Sequence, residues 1–188
     1  MQIIRTKQLG ALIALLIVIG FAPTSISAAP DGDQQAPELP SPLCDRLKVE
    51  AGNKVHSHVY ATGTQIYRWD GVSWVFVEPA ATLYANTNYD GKVGTHYRGP
   101  TWESNSGSKV VASRMYGCTP DATAIPWLLL EAVSTSGPGI YSSVSFVQRV
   151  NTTGGLAPAY PGLVIGQTAE VPYTAEYYFY RGENPSSN

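Results

Sequence analysis

Charge is what this chain has least of. Twelve Lys and Arg and fourteen Asp and Glu make up 14% of its 188 residues. They form no basic stripe and do not interleave with aromatics, which sets nucleic acid aside as a partner. Complete catalytic signatures are missing too. There is no Gly-x-Ser-x-Gly, no His-Glu-x-x-His, no Cys-x-x-Cys, and no Gly-x-Gly-x-x-Gly after a strand. No long amphipathic helical pattern and no internal repeat occurs. Cysteine is scarce, with only Cys44 and Cys118.

What is present begins with an export signal. Arg5 and Lys7 precede an apolar run from Leu9 to Ala22, and small residues follow at Ser25, Ser27, Ala28 and Ala29. That order is a secretory signal peptide over residues 1–28. The run is short of the roughly 20 apolar residues of a membrane span, which disfavours a signal anchor. Cleavage leaves ten basic against fourteen acidic residues, a formal charge of −4. No second apolar span follows, so a secreted or periplasmic protein without a membrane span is expected. In that setting the two cysteines read first as a disulfide and second as two separate buried thiols; a bridge would tie an N-terminal arm to the domain.

Residues 29–42 hold Pro30, Pro37, Pro40 and Pro42 and little that is apolar, which predicts a disordered linker. Residues 43–181 carry strand signals, and 182–188 read as a flexible tail. Gln65–Trp69 and Val72–Val77 flank Asp70-Gly71, the signature of a hairpin on a two-residue turn. That register places Tyr67 opposite Trp74 and Trp69 opposite Val72, and makes one face aromatic. Further turns are expected at Asp90-Gly91 and at Asn105–Ser108. Val171–Tyr180 alternates, with Tyr173, Ala175, Tyr177 and Phe179 on one face. The apolar run Ala124–Val133 fits a buried strand or a short core helix, and the turn spacing favours the strand. The expected fold is all-β: a single-domain antiparallel sandwich or barrel of roughly eight to eleven short strands.

Chemistry concentrates in His96-Tyr-Arg-Gly-Pro-Thr-Trp-Glu103. His96 and Glu103 are candidate proton-transfer groups of a secreted enzyme acting on a polar extracellular substrate. Alternatively they grip a small polar molecule or glycan, with Trp102 as a stacking platform and Tyr97, Gln65 and Arg149 as further ligand-binding candidates. Arg149 lies mid-strand among apolar residues and needs a partner. Glu103 is the expected one, as a fold-fixing ion pair or across a shared ligand. His56 and His58 on one strand, with His96, form a candidate zinc or copper site; the plain reading is two polar residues on a half-buried strand. No other cofactor is implied. Twelve Tyr and four Trp suit sugar or apolar ligands, and equally a thin β-core. Asn151-Thr-Thr153 is a glycosylation sequon, meaningful in a eukaryotic source.

Six ordered stretches carry a resemblance. They are Gly63–Tyr67, Pro79–Tyr84, Gly94–Glu103, Ile125–Leu130, Val147–Gly155 with Ala157-Pro158, and Val171–Tyr180. Together they resemble the domain-of-unknown-function family DUF3455, found in exported bacterial and fungal proteins. The resemblance implies export and no particular reaction. An extracytoplasmic ligand-binding or structural β-domain is therefore the leading expectation.

Overall fold

A computed structural model describes residues 35–183. The expected signal peptide, residues 1–28, residues 29–34 of the expected linker and residues 184–188 of the expected tail lie outside the described residues. Eight strands follow a short 3-10 turn at Asp45–Leu47: β1 (Asn53–Trp69), β2 (Trp74–Tyr84), β3 (Lys92–Tyr97), β4 (Thr101–Ser104), β5 (Lys109–Cys118), β6 (Trp127–Ser136), β7 (Phe146–Gly154) and β8 (Thr168–Gly182). Each pairs antiparallel with the next, and β8 pairs with β1, so the sheet closes into a barrel. Closure removes every free edge. It also decides between the two architectures that the sequence left open. The seam is long rather than short: β1 has 17 residues and β8 has 15, in register from Asn53↔Gly182 to Arg68↔Thr168.

Local chemistry corrects two details. The β1–β2 hairpin pairs Trp69 with Trp74 and Tyr67 with Phe76, two positions away from the two-residue register. The reason is Asp70, whose carboxylate accepts hydrogen bonds from the Val72 and Ser73 amides at 2.8 Å each. An Asx turn of this kind spends four residues instead of two. The aromatic face survives, with Trp69 and Trp74 centroids 5.6 Å apart. In β1, a bulge between Val55 and Ser57 makes His56 the extra residue, so the simple alternation that aligned His56 with His58 is broken.

The interior core contains Val59, Ala61, Leu83, Trp102, Val110, Val147, Tyr177 and Phe179 among others. The β8 row Tyr173, Ala175, Tyr177, Phe179 faces inward as its alternation predicts. A second apolar cluster lies outside the wall, where Tyr178, Tyr180, Phe146, Val150, Trp127 and Leu129 are covered by Cys44 and Leu47, with Leu39 packed against them. Gln148 donates to the Leu47 carbonyl and accepts from the Tyr180 hydroxyl, which satisfies the polar atoms trapped there. The Cys44–Cys118 disulfide, 5.4 Å between Cα atoms, secures this arm. Its sequence separation of 74 corresponds to about 4 kcal/mol of chain-entropy stabilisation.

In an up-and-down barrel alternate turns share an end. The segments 70–73, 98–100, 119–126 and 155–167 therefore lie at one end. The turns 85–91, 105–108 and 137–145 lie at the other.

Candidate functional site

The Gly99-Pro100 corner builds the first part of the site. Gly99 has φ +130°, and a Cβ there would stand 2.5 Å from Thr101 Oγ1, so only glycine fits. The tight turn sets His96 opposite Trp102, and both side chains point into the barrel. Their rings stack at 4.3 Å with 12° between planes. His96 Nδ1 lies 2.9 Å from the Thr101 carbonyl. A carbonyl only accepts, so Nδ1 carries the proton and Nε2 keeps its lone pair. Burial drives the His96 pKa down to about 3, the Thr101 hydrogen bond opposes that, and the Arg149 charge adds to it. His96 is therefore neutral near pH 7, a hydrogen-bond acceptor at Nε2. Trp102 is 1% exposed, with His96 over one face, and belongs to the floor rather than to an open stacking platform.

Glu103 goes the other way. Strand alternation sends it outward with Tyr97, whose hydroxyl donates to Glu103 Oε2 at 2.7 Å, and with Lys109, whose Nζ is 3.3 Å away. The Tyr97 hydrogen bond and then Lys109 hold the Glu103 carboxyl below its ordinary value. His96 and Glu103 thus stand on opposite faces of one sheet and cannot share a proton-transfer step on one substrate. The expected Arg149–Glu103 contact is absent for the same reason. Arg149 follows Val147 inward, and its Nε and Nη2 both donate to the Pro126 carbonyl, at 3.1 and 2.8 Å.

The histidine triad is not assembled. His58 faces outward, its Nε2 2.8 Å from Glu176 Oε2 and its ring stacked on Tyr178 at 3.9 Å. Burial lowers its pKa while Glu176 pulls the other way. The barrel wall separates it from His96. Among the described residues no group of three His, Cys, Asp or Glu could hold a metal ion. Asn151 is exposed, with φ 49°, and its amide donates to Glu176 Oε1 at 3.0 Å.

What the structure does bring together is Gln65, His96, Trp102 and Arg149, around a cavity of about 560 Å³. Tyr67, Phe76, Ile125, Leu128, Leu130 and Tyr177 supply apolar wall. Tyr67 is fixed by donating to the Gly155 carbonyl at 2.6 Å. Gln65 lies beside the Tyr173 hydroxyl, which is 3.4 Å from the Tyr177 hydroxyl, and Arg149 adjoins Tyr177 in turn. A polar row thus runs up one inner wall. Burial raises the pKa of both tyrosines, so both are protonated. Gln65 is 3% exposed, and its Nε2 is buried without a hydrogen-bond partner, as is Trp102 Nε1.

Three guanidinium groups line the cavity, from Arg98, Arg114 and Arg149, against one carboxylate, Glu78. Glu78 is taken by Arg98 at 3.3 Å. Sequence reasoning missed Arg114, although it continues the inward series Val110, Ala112, Arg114. It missed Tyr67 and Phe76 as well, because the wrong hairpin register hid their pairing.

The family model for proteins of unknown function, DUF3455, matches residues 50–181. The chain belongs to this family. That agrees with the resemblance carried by the six motifs, and the matched span takes in the eight strands of the barrel except for Gly182 at the end of β8. Neither the curated proteins nor the solved structures contain a match to the chain. Among the described residues no helix is long and apolar enough to cross a membrane.

Proposed function

We propose that this protein is an exported binding barrel that holds one small organic ligand in the cavity at its open end. The observation that carries the reading is a cavity of about 560 Å³ with Gln65 on its wall, whose buried Nε2 makes no close hydrogen bond. A buried donor left unmade costs about 1–3 kcal/mol, a cost that a ligand acceptor removes. An eight-stranded barrel has an interior that side chains just fill or that holds one small ligand, and this one is filled at one end only. The volume falls within the roughly 300–1,000 Å³ of small-molecule sites. A purely structural barrel would have no reason to keep such a space. The lining is more apolar than a glycan or small polar molecule requires, which moves the reading toward a ligand with a hydrocarbon body. Export rests on the signal-peptide pattern and suits the disulfide.

The test is fluorescence of a neutral apolar probe, phenylnaphthylamine, titrated with the purified protein. Saturable one-to-one enhancement is expected. Leu128→Trp, which adds bulk to the cavity wall, should abolish it while leaving far-ultraviolet circular dichroism unchanged. Absence of saturable binding by the parent protein would overturn the proposal.

A further inference from the structure

The chemistry of the cavity selects among ligands. Arg149 is half-buried, and among the described residues it makes no ion pair. Its Nε and Nη2 donate to the Pro126 carbonyl and its fork also donates to the Tyr177 hydroxyl, so all of its partners are neutral. A guanidinium in a partly desolvated wall, with no carboxylate of its own, is a ready partner for a planar anion. Gln65 lines the same cavity, and its buried Nε2 makes no close hydrogen bond, with only the Tyr173 hydroxyl beside it, so it is a second donor short of an acceptor. The Tyr173 and Tyr177 hydroxyls, kept protonated by burial, add no negative charge. Glu78, the one carboxylate of the lining, is already paired with Arg98. The remaining wall, from Tyr67, Phe76, Ile125 and Leu128, is apolar. An anion with a hydrocarbon body matches both halves.

The geometry points to a carboxylic-acid-binding site: the cavity takes an amphipathic monocarboxylate, its carboxylate on Arg149 with Gln65 Nε2 donating, its hydrocarbon against the apolar wall. This inference rests on the binding-barrel reading and narrows it to a ligand class. A cationic head is disfavoured by Arg149 and Arg114, neither of which has a carboxylate neighbour in the lining. A neutral head gains the hydrocarbon contacts and leaves the guanidinium unused.

Three ligands of one chain length separate these cases: decanoate, decanol and decylammonium, each measured by displacement of phenylnaphthylamine and by calorimetry at pH 7. Decanoate is expected to bind at least about tenfold more tightly than decanol, the order of a charge-assisted hydrogen bond, and decylammonium more weakly than either. Arg149→Met should abolish the acid preference and leave decanol binding within about twofold. Arg149→Lys keeps the charge but loses the fork, and should retain part of the preference. Equal binding of decanoate and decanol by the parent protein would overturn the acid selectivity and leave the binding barrel standing. Failure of phenylnaphthylamine to bind at all would overturn both. The parent protein alone decides the question if a variant fails to fold.

Discussion

The two ends of the barrel are built from the same eight strands and are finished in opposite ways. At one end the 137–145 segment turns Tyr141 and Val144 inward, and Tyr141 meets Phe179 at 4.5 Å. Ser108 caps this plug by accepting from the Tyr141 amide at 3.2 Å and sharing a hydrogen bond with Ser104. At the other end the 155–167 segment carries as much apolar material and turns it away: Leu163 is 91% and Ile165 76% exposed. Gly162 and Gly71 hold this segment against the hairpin, where a Cβ would run into Trp69 or Ile165. The mouth is thus left open by a loop of suitable composition to close it. Strand alternation fixes which residues face inward, and the loops decide which end is solid.

The strongest way to break this comparison is to make one substitution at both ends. Phe179 is fully buried at the solid end, and Phe179→Ala should cost roughly 3–5 kcal/mol, the usual range for a core aromatic. Phe76 lines the mouth and is 49% exposed, so Phe76→Ala should cost under about 1 kcal/mol. Denaturant midpoints at constant slope measure both. Equal losses would show that the mouth is packed as tightly as the plug.

The pH dependence of stability sharpens the same contrast from the floor between the ends. His96 has a folded pKa of about 3 against an ordinary 6.5. Between those values the unfolded chain binds a proton that the folded one does not. The stability contribution is therefore present above pH 6.5 and is lost as pH falls toward 3. From pH 7 to pH 5 that amounts to about 2 kcal/mol. His96→Gln, whose amide can still donate to Thr101, should reduce the loss over this interval by about that amount. An unchanged pH slope in the variant would place His96 in a solvated setting instead.

The inward rows of the barrel were legible in the sequence because alternation is a local property. Tyr173, Ala175, Tyr177 and Phe179 needed no partner strand to be read correctly, and the Cys44–Cys118 bridge needed only two cysteines and the expectation of export. Pairings between elements were less legible. Asp70 moved the hairpin register through a side-chain hydrogen bond that a two-residue turn template does not contain. Arg149 was assigned to Glu103 because both were short of partners, yet facing outweighs scarcity. One residue of alternation from Trp102 puts Glu103 beyond the wall, beside Tyr97 and Lys109. Arg114 could have been found by extending the series from Val110 and Ala112. The cavity itself could not, since it depends on where the 155–167 loop turns.

Arg149 gives the smallest effect and the finest distinction. Were its charge matched by a buried carboxylate, removing it would leave that carboxylate unpaired and cost about 3–5 kcal/mol. In the structure it faces the cavity and donates to two neutral groups, the Pro126 carbonyl and the Tyr177 hydroxyl. Arg149→Met keeps the length and apolar stem of the side chain and removes the charge. The losses are the hydrogen bonds to the Pro126 carbonyl and the Tyr177 hydroxyl, and the gain is relief from holding a guanidinium in a partly desolvated wall. The two oppose each other, so the expected net cost in the unliganded protein is about 1 kcal/mol. Chemical denaturation of parent and variant without ligand measures it. A loss of 3 kcal/mol or more would mean that Arg149 is structurally compensated, and would remove the reason to seek an anion there. A small loss, with carboxylate binding abolished, separates a residue held ready for a ligand from one that holds up the fold.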